Sequence, residues 1–244
     1  MGTAPVHYTA AAATDRGRKR PSNEDAFGYS VEDCIYVLCD GMGGAAAGEV
    51  ASATAVQEVM RCLARRSPDI PLAEATEEAV RAANYEVFNR AQRERKLRGM
   101  GTTLVAVVAD ECRAWVFNIG DSRCYLLRGR RLHQVTRDHS LVDEEIRQGR
   151  MTPAEALHSP YRNVITRALG THRNVEPDVF EVEIAPGDLF LLCSDGLTRE
   201  IDDSRIEEIL GLDLPLDELC RRLVDAANEA GGHDNITCVL ARAT

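Results

Sequence analysis

The 244-residue chain has no apolar stretch approaching the length of a membrane span, and residues 1 to 14 lack the charged start and hydrophobic core of a signal peptide. A cytoplasmic protein with no membrane partner is expected. Its eight cysteines, at positions 34, 39, 62, 112, 124, 193, 220 and 238, form no C-x-x-C pair, and most lie inside apolar runs. That argues against a zinc site and favours buried, reduced thiols over disulfides. There is no basic excess: the formal charge of -10 argues against a general nucleic-acid binder. No internal repeat, low-complexity segment or linker interrupts residues 1–244, so a single domain is expected, and 44% hydrophobic residues suits a soluble globular core.

What is present is a run that ends in a charge. Tyr36-Val-Leu-Cys-Asp-Gly-Met-Gly-Gly44 reads as a buried strand that delivers Asp40 to its carboxyl end, with Gly41, Gly43 and Gly44 allowing a tight turn or the close approach of a ligand. A buried carboxylate costs several kcal/mol unless a cation or several donors answer it, and no Lys or Arg stands beside Asp40. The design recurs where the strand Leu189–Cys193 is closed by Asp195 and Gly196, and where Asp234 follows Gly231-Gly-His ahead of an apolar run. Taken singly, each is an ordinary turn residue. The three together, in a chain with no zinc or disulfide pattern, point to a divalent metal.

In chain order, residues 6 to 14 read as a strand. The basic run Arg16-Gly-Arg-Lys-Arg20 reads as a solvated loop, except that Pro21 holds Arg20 extended beside Glu24 and Asp25, where its guanidinium could present a fork to a phosphate. Residues 27–29 and 34–39 read as a strand pair, and a helix opens at Gly48-Glu49 with Val56, Val59, Met60 and Leu63 on one face. A second helix covers Leu72 to Lys96. After Gly99-Met-Gly-Thr-Thr103 come strands at 104–108, 114–118, 124–127 and 132–135, with Arg128-Gly-Arg130 as a hairpin turn. Asp121 sits at another Gly-Asp corner, where a turn role and a metal role are equally open.

Residues 138 to 170 read as an inserted flap of short helices over a site, with Asp138 capping one at 141–148 and Thr152-Pro-Ala-Glu opening another through a capping box. His139 reads as a turn or cap residue in preference to a proton donor. Strands resume from Pro177 and again at 189–193, a helix carries Leu216, Leu219, Cys220, Leu223, Val224 and Ala227 on one face, and a last strand spans 236–241. This order is not βαβ alternation; it predicts an α+β fold of mostly antiparallel sheets with helices packed outside.

The segments Arg20-Pro-Ser-Asn-Glu-Asp25, Asp40-Gly-Met-Gly-Gly44 with Gly48-Glu49, Gly99-Met-Gly-Thr-Thr103, Gly120-Asp-Ser-Arg123, Ser194-Asp-Gly196 and Gly232-His-Asp-Asn235 resemble, in order and over about residues 8 to 242, the bacterial branch of the PP2C-type (PPM) metal-dependent serine/threonine phosphatases. The resemblance implies an α-β-β-α sandwich of two antiparallel sheets flanked by helices, with two Mn²⁺ or Mg²⁺ ions at one edge. It implies that Asp40 bridges them, that the Gly41 carbonyl binds one, that Asp195 and Asp234 hold the other, and that Glu24 and Asp25 act mostly through bound waters. Arg20 matches the phosphate-binding arginine, and Asp121 matches a residue that, with Asp195, supports a weaker third metal. Two departures stand out. Met42 occupies the place of a histidine proposed as general acid in animal relatives, and Arg199 stands where some members have a further carboxylate for the third metal.

The activity so implied is hydrolysis of phosphoserine and phosphothreonine in proteins, by in-line attack of a water made acidic between two metals and without a phosphoenzyme. Its partners would be phosphorylated proteins and a cognate bacterial serine/threonine kinase, and the protein a monomer. Two other readings stay open: a phosphoprotein-binding regulatory module without turnover, and a hydrolase of small phosphoesters.

Overall fold

The computed structural model describes residues 7–43 and 47–244. The chain begins with β1 (Tyr8–Asp15), β2 (Asp25–Ser30) and β3 (Ile35–Met42), followed by α1 (Ala47–Ala64) and α2 (Leu72–Arg93). A strand meander comes next: β4 (Gly101–Thr102), β5 (Leu104–Ala109), β6 (Arg113–Ile119), β7 (Arg123–Arg128) and β8 (Arg131–Gln134). Two short helices, α3 (Leu141–Arg147) and α4 (Pro153–Leu157), precede β9 (Asp178–Glu183) and β10 (Leu189–Cys193). The chain closes with α5 (Asp195–Thr198), α6 (Asp203–Leu210), α7 (Leu216–Ala230) and β11 (Ile236–Ala243).

The strands form two antiparallel sheets, one in the order β1-β11-β10-β7-β8 and the other β2-β3-β5-β6-β9 with β4 paired to β3. Three cores follow from this layering. Tyr36, Leu38, Val105, Val107, Phe190, Leu192 and Val239 fill the space between the sheets. Ile35, Val37 and Cys39 of the same strand β3 face the other way, against Val59, Leu63, Val80 and Val87 of α1 and α2. On the far side Leu191, Cys193 and Leu240 meet Ile206, Leu219, Leu223 and Ala227 of α6 and α7. Central strands buried on both faces lose the polar alternation of a half-exposed sheet, which is why residues 35–39 and 189–193 are unbroken apolar runs. The expected α-β-β-α sandwich is the fold observed.

Most predicted elements stand within a residue or two. The first strand starts at Tyr8, the part of its expected range at Val6 lying outside the described residues, as does the turn expected at Gly44. The second helix ends at Arg93, and Arg95–Leu97 form a separate 3₁₀ turn where a continuous helix to Lys96 was expected. The β7–β8 turn is as read: Gly129 and Arg130 both have positive φ, 55° and 69°, the pattern of a type I′ hairpin.

One cap is corrected. Ser140, not Asp138, caps α3 by accepting the Asp143 N–H, while Asp138 takes the guanidinium of Arg123 at 2.7–3.0 Å. α3 starts at Leu141, so Ser140 holds the N-cap position and Asp138 lies outside it, free to take the two-pronged guanidinium. The Thr152–Glu155 capping box forms as expected. The helix α6 was not anticipated, although Asp202 caps it and Ile206, Ile209 and Leu210 give it a short apolar face.

All eight cysteines are free thiols; five are buried, Cys34 and Cys62 are half-buried and Cys112 is exposed. Among the described residues no helix is long and apolar enough to cross a membrane. Phe190 is wholly enclosed between the sheets. Phe190→Ala should therefore lower the unfolding free energy by about 3–5 kcal/mol, read as a shift in urea midpoint at constant slope; a loss under about 1 kcal/mol would show that the inter-sheet core is not packed as described.

Candidate active site

Period-two alternation carries the inter-sheet rows out to one edge of the sandwich, and there their chemistry changes. In β3 the row Tyr36, Leu38 continues to Asp40; in β2 the row Phe27 leads back to Asp25, and the register sets Asp25 directly opposite Asp40. In β10 the row Phe190, Leu192 leads on to Ser194, and in β11 the row Val239, Ala241 leads back to Thr237. The hydroxyls of Ser194 and Thr237 both donate to Asp25 Oδ2, at 2.8 and 2.6 Å. Asp40 is fixed through its backbone: its N–H donates to the Thr103 hydroxyl at 2.9 Å, while its carbonyl accepts from Thr103 N–H and Thr102 Oγ1.

The loops add the remaining acids. Asp195 is the first residue of α5, and α5 can approach because residue 196 is glycine: a Cβ there would lie 2.0 Å from the Asn235 carbonyl oxygen. Gly41 is equally constrained, since a Cβ would stand 2.1 Å from the Gly48 carbonyl oxygen. Asp234 accepts from the Asn235 N–H through Oδ1 and from Arg20 Nη2 through Oδ2, the latter at 2.6 Å. Asp121 sits at the β6–β7 corner. His139 holds that corner from both sides, donating its N–H to the Gly120 carbonyl at 2.9 Å and accepting the Gly120 N–H on Nδ1 at 3.0 Å. Its imidazole is buried and its pKa is lowered chiefly by that burial; it lines neither cavity described below.

A cavity of about 380 Å³ is lined by Arg20, Glu24, Asp40, Gly41, Met42, Asp121, Asp195, Arg199 and Asp234. It adjoins one of about 640 Å³ that shares Arg20, Asp121, Asp195, Arg199 and Asp234 and is walled by Val142, Ile146, Pro153, Ala156 and Leu157 of the α3–α4 segment. Seven of the eight residues singled out by sequence thus meet at one opening. The eighth, Asp25, lies behind Asp40 and does not line either cavity.

Several like charges in one half-buried place are electrostatically unfavourable. Burial and the neighbouring Asp25, Asp195, Asp121 and Asp234 carboxylates hold the Asp40 carboxyl well above the usual range. Burial pushes Asp25 up to about 6, against the hydroxyls of Thr237 and Ser194 that hold it down. Burial and the charge of Asp121 push Asp195 up to about 8, with Arg199 opposing. Glu24 is raised by burial as well.

The donors suit a divalent cation. Among the described residues Asp25 Oδ1, Asp121 Oδ1 and Asp195 Oδ1 are buried without a hydrogen-bond partner, and buried orphan carboxylate oxygens are what a hard, oxygen-seeking ion satisfies. Among the described residues the acids are not drawn into a closed cage; the guanidiniums of Arg20 and Arg199 lie on Asp234 and Asp195 instead.

A supporting set of polar side chains holds these acids in place. Asn235 accepts the Glu24 N–H on Oδ1 at 2.8 Å and donates through Nδ2 to the Arg16 and Ser22 carbonyls, both at 2.9 Å, so one side chain ties the Arg20 loop to Asp234. Its signal was an amide next to the Gly-Gly-His-Asp turn. Ser194, Thr102 and Thr103 lie inside the quoted motifs with nothing in the sequence to give their roles, and Thr237 has no signal, because hydroxyls at strand ends are common.

The protein phosphatase 2C family model matches residues 14–241. The chain belongs to that family, and is a phosphatase of the divalent-metal-dependent kind. It is 40% identical over 234 residues to the serine/threonine phosphatase Stp of Listeria monocytogenes, covering 93% of this chain and 92% of that protein. It is 42% identical to the serine/threonine protein phosphatase PstP of Mycobacterium tuberculosis, covering 95% of this chain and 44% of the relative. The crystal structure of the PstP catalytic domain in complex with two manganese ions superposes with a TM-score of 0.89 at 38% identity, over 98% of this chain and 99% of that one.

The crowded acids make a thermodynamic prediction. Carboxyls whose folded pKa is raised hold protons that the unfolded chain has already released, so stability is highest at low pH and falls as pH rises through the raised values. In EDTA the melting temperature should fall between about pH 5 and about pH 8, the window set by Asp25 and Asp195, and saturating Mg²⁺ or Mn²⁺ should flatten the fall. A melting temperature that rises over this window in EDTA would contradict the convergence of charges.

Proposed function

We propose that this chain dephosphorylates phosphoserine and phosphothreonine in phosphoproteins, with two Mn²⁺ or Mg²⁺ ions held at the sandwich edge. The observation that carries the reading is the meeting of Asp40, Asp195 and Asp234, with Glu24 and Asp121 beside them, on one opening with Arg20 at its rim. In this reading Asp40, the Gly41 carbonyl, Asp195 and Asp234 would hold the ions, and Glu24 and Asp25 would act through water. When bound, the ions lower the pKa of water at the site, so that hydroxide is available near neutral pH.

The chain's own residues do the rest. Arg20 is half-exposed and its one ionic partner among the described residues is Asp234, so once Asp234 is engaged elsewhere the guanidinium fork is free to take two phosphoryl oxygens. The Thr102 and Thr103 contacts keep the Asp40 backbone in place while charge develops. Ser194 is not a nucleophile: its hydroxyl donates to Asp25. Met42 lines the cavity and carries no proton to give, so the proton for the leaving alkoxide comes from water at the site or from another lining group. The segment 138–170 acts as a flap, its apolar wall facing the residues that flank the phosphate. The substrates are phosphoproteins made by a cognate serine/threonine kinase, and residues 1–244 act as one domain, as a cytoplasmic monomer. The weaker third metal site that the resemblance implies at Asp121 and Asp195 does not fit this chain, because Arg199 lies on both carboxylates.

The test is phosphate release from a phosphothreonine peptide and from p-nitrophenyl phosphate with Mn²⁺. Asp40→Asn should cut turnover by about 1000-fold or more with an unchanged far-UV spectrum. Arg20→Ala should raise KM roughly 10-fold, with a smaller effect on kcat. A wild type that binds the phosphopeptide but releases no phosphate would establish a binding module instead, and a wild type faster on small phosphoesters than on phosphopeptides would establish a metabolite hydrolase.

A further inference from the structure

Arg199 is one turn of chain beyond Asp195, at the C-terminal cap of α5, and its own N–H donates to the Asp195 carbonyl at 2.8 Å. That spacing lays the arginine side chain over the aspartate. Its Nη2 reaches Asp121 Oδ2 at 3.1 Å and also contacts Asp195 Oδ2. The two carboxylates come from distant parts of the chain, both are at least nine-tenths buried, and each keeps a second oxygen without a partner among the described residues. Facing each other at low exposure, they are stabilised by a cation between them.

We propose that Arg199 is that cation: a tethered guanidinium that takes the place of a third divalent ion, so that the metal centre of this chain is complete with two. The inference rests on the phosphatase reading above. A hydrated divalent ion and a guanidinium cannot share one site, since both need the same two carboxylates and carry charge of the same sign. The guanidinium has two advantages there. It is held by the chain at an effective concentration no weakly bound ion matches, and it stays charged at every pH the protein meets.

The contrast with Arg20 shows that Arg199 is not simply lying on the nearest acid. Arg20 comes from a loop, has a side chain 49% exposed and contacts one carboxylate. Arg199 is anchored at a helix cap, is 32% exposed and contacts two carboxylates from separate elements. Arg20 is placed to move to a phosphoryl group, and Arg199 is placed to stay.

The experiment counts ions. Wild type, Arg199→Asp, Arg199→Gln and the double variant Arg199→Asp/Asp121→Asn are titrated with Mn²⁺ by calorimetry, with free Mn²⁺ followed by electron paramagnetic resonance. Wild type should take up two ions and show no weaker phase. Arg199→Asp should gain one further ion, at least tenfold weaker than the first two, and Arg199→Gln the same ion more weakly still; the double variant should lose it. Three ions in wild type would overturn the inference. So would variants that keep the wild-type melting temperature with saturating Mn²⁺ and still bind only two. A wild type that binds no Mn²⁺ would instead overturn the metal-phosphatase reading beneath it. If Arg199→Asp does not fold, Arg199→Gln and the wild-type count decide between the same outcomes.

Discussion

Mutual repulsion among carboxylates at the rim of the two-sheet sandwich is the constraint around which the molecule is arranged. Asp25 and Asp40 face each other across one ladder, and like charges directly opposite on neighbouring strands destabilise a sheet. Asp121, Asp195 and Asp234 are brought close enough to raise or sustain that repulsion. A fold selected only for stability would disperse these groups. Here almost every nearby polar contact holds them together: the Ser194 and Thr237 hydroxyls on Asp25, the threonines behind Asp40, the Asn235 amide across three segments, and His139 at the Gly120 corner. The stored unfavourable energy is what a divalent ion relieves on binding, and affinity for the ion grows with the repulsion it removes.

The sandwich is well suited to hold such a cluster. Its three apolar layers stabilise the fold without help from the rim, and each strand that contributes to the inter-sheet core also projects the next residue of the same row toward the edge. The distance between Asp25 and Asp40 is thereby set by sheet spacing and register, which are rigid, while Glu24, Asp121 and Asp234 come from loops and Asp195 from the start of α5, each beside a close backbone contact or a hydrogen-bonded corner.

Much of this was legible in the sequence. The apolar runs at 35–39 and 189–193 that end in serine, aspartate or glycine announce strands buried on both faces with a polar terminus, and six short motifs in order identify the family. What was not legible depends on pairing across long separations. That Asp25 stands opposite Asp40 follows from register, and that Asn235 bonds to Arg16, Ser22 and Glu24 requires residues more than two hundred positions apart to meet. Asp138 was misassigned because its sequence neighbours suggested a cap, and nothing local reveals that Arg123, fifteen residues earlier, competes for it. Helix α6 escaped notice because its apolar face is only three residues wide. The placement of Arg199 between Asp121 and Asp195 is likewise a tertiary fact, although its spacing of four from Asp195 is visible in the chain.

The Asn235 contacts bear on how the protein is made. This side chain and the adjoining Asp234 join the loop that carries Arg20 and Glu24, and β11, which follows immediately, is the strand inserted between β1 and β10. Until the segment around Asp234 has left the ribosome, the first strand has no neighbour in its sheet and the Arg20 loop has nothing to close against. A nascent chain that has not yet released β11 therefore lacks both the sheet neighbour of β1 and the Asn235 amide that ties down the Arg20 loop.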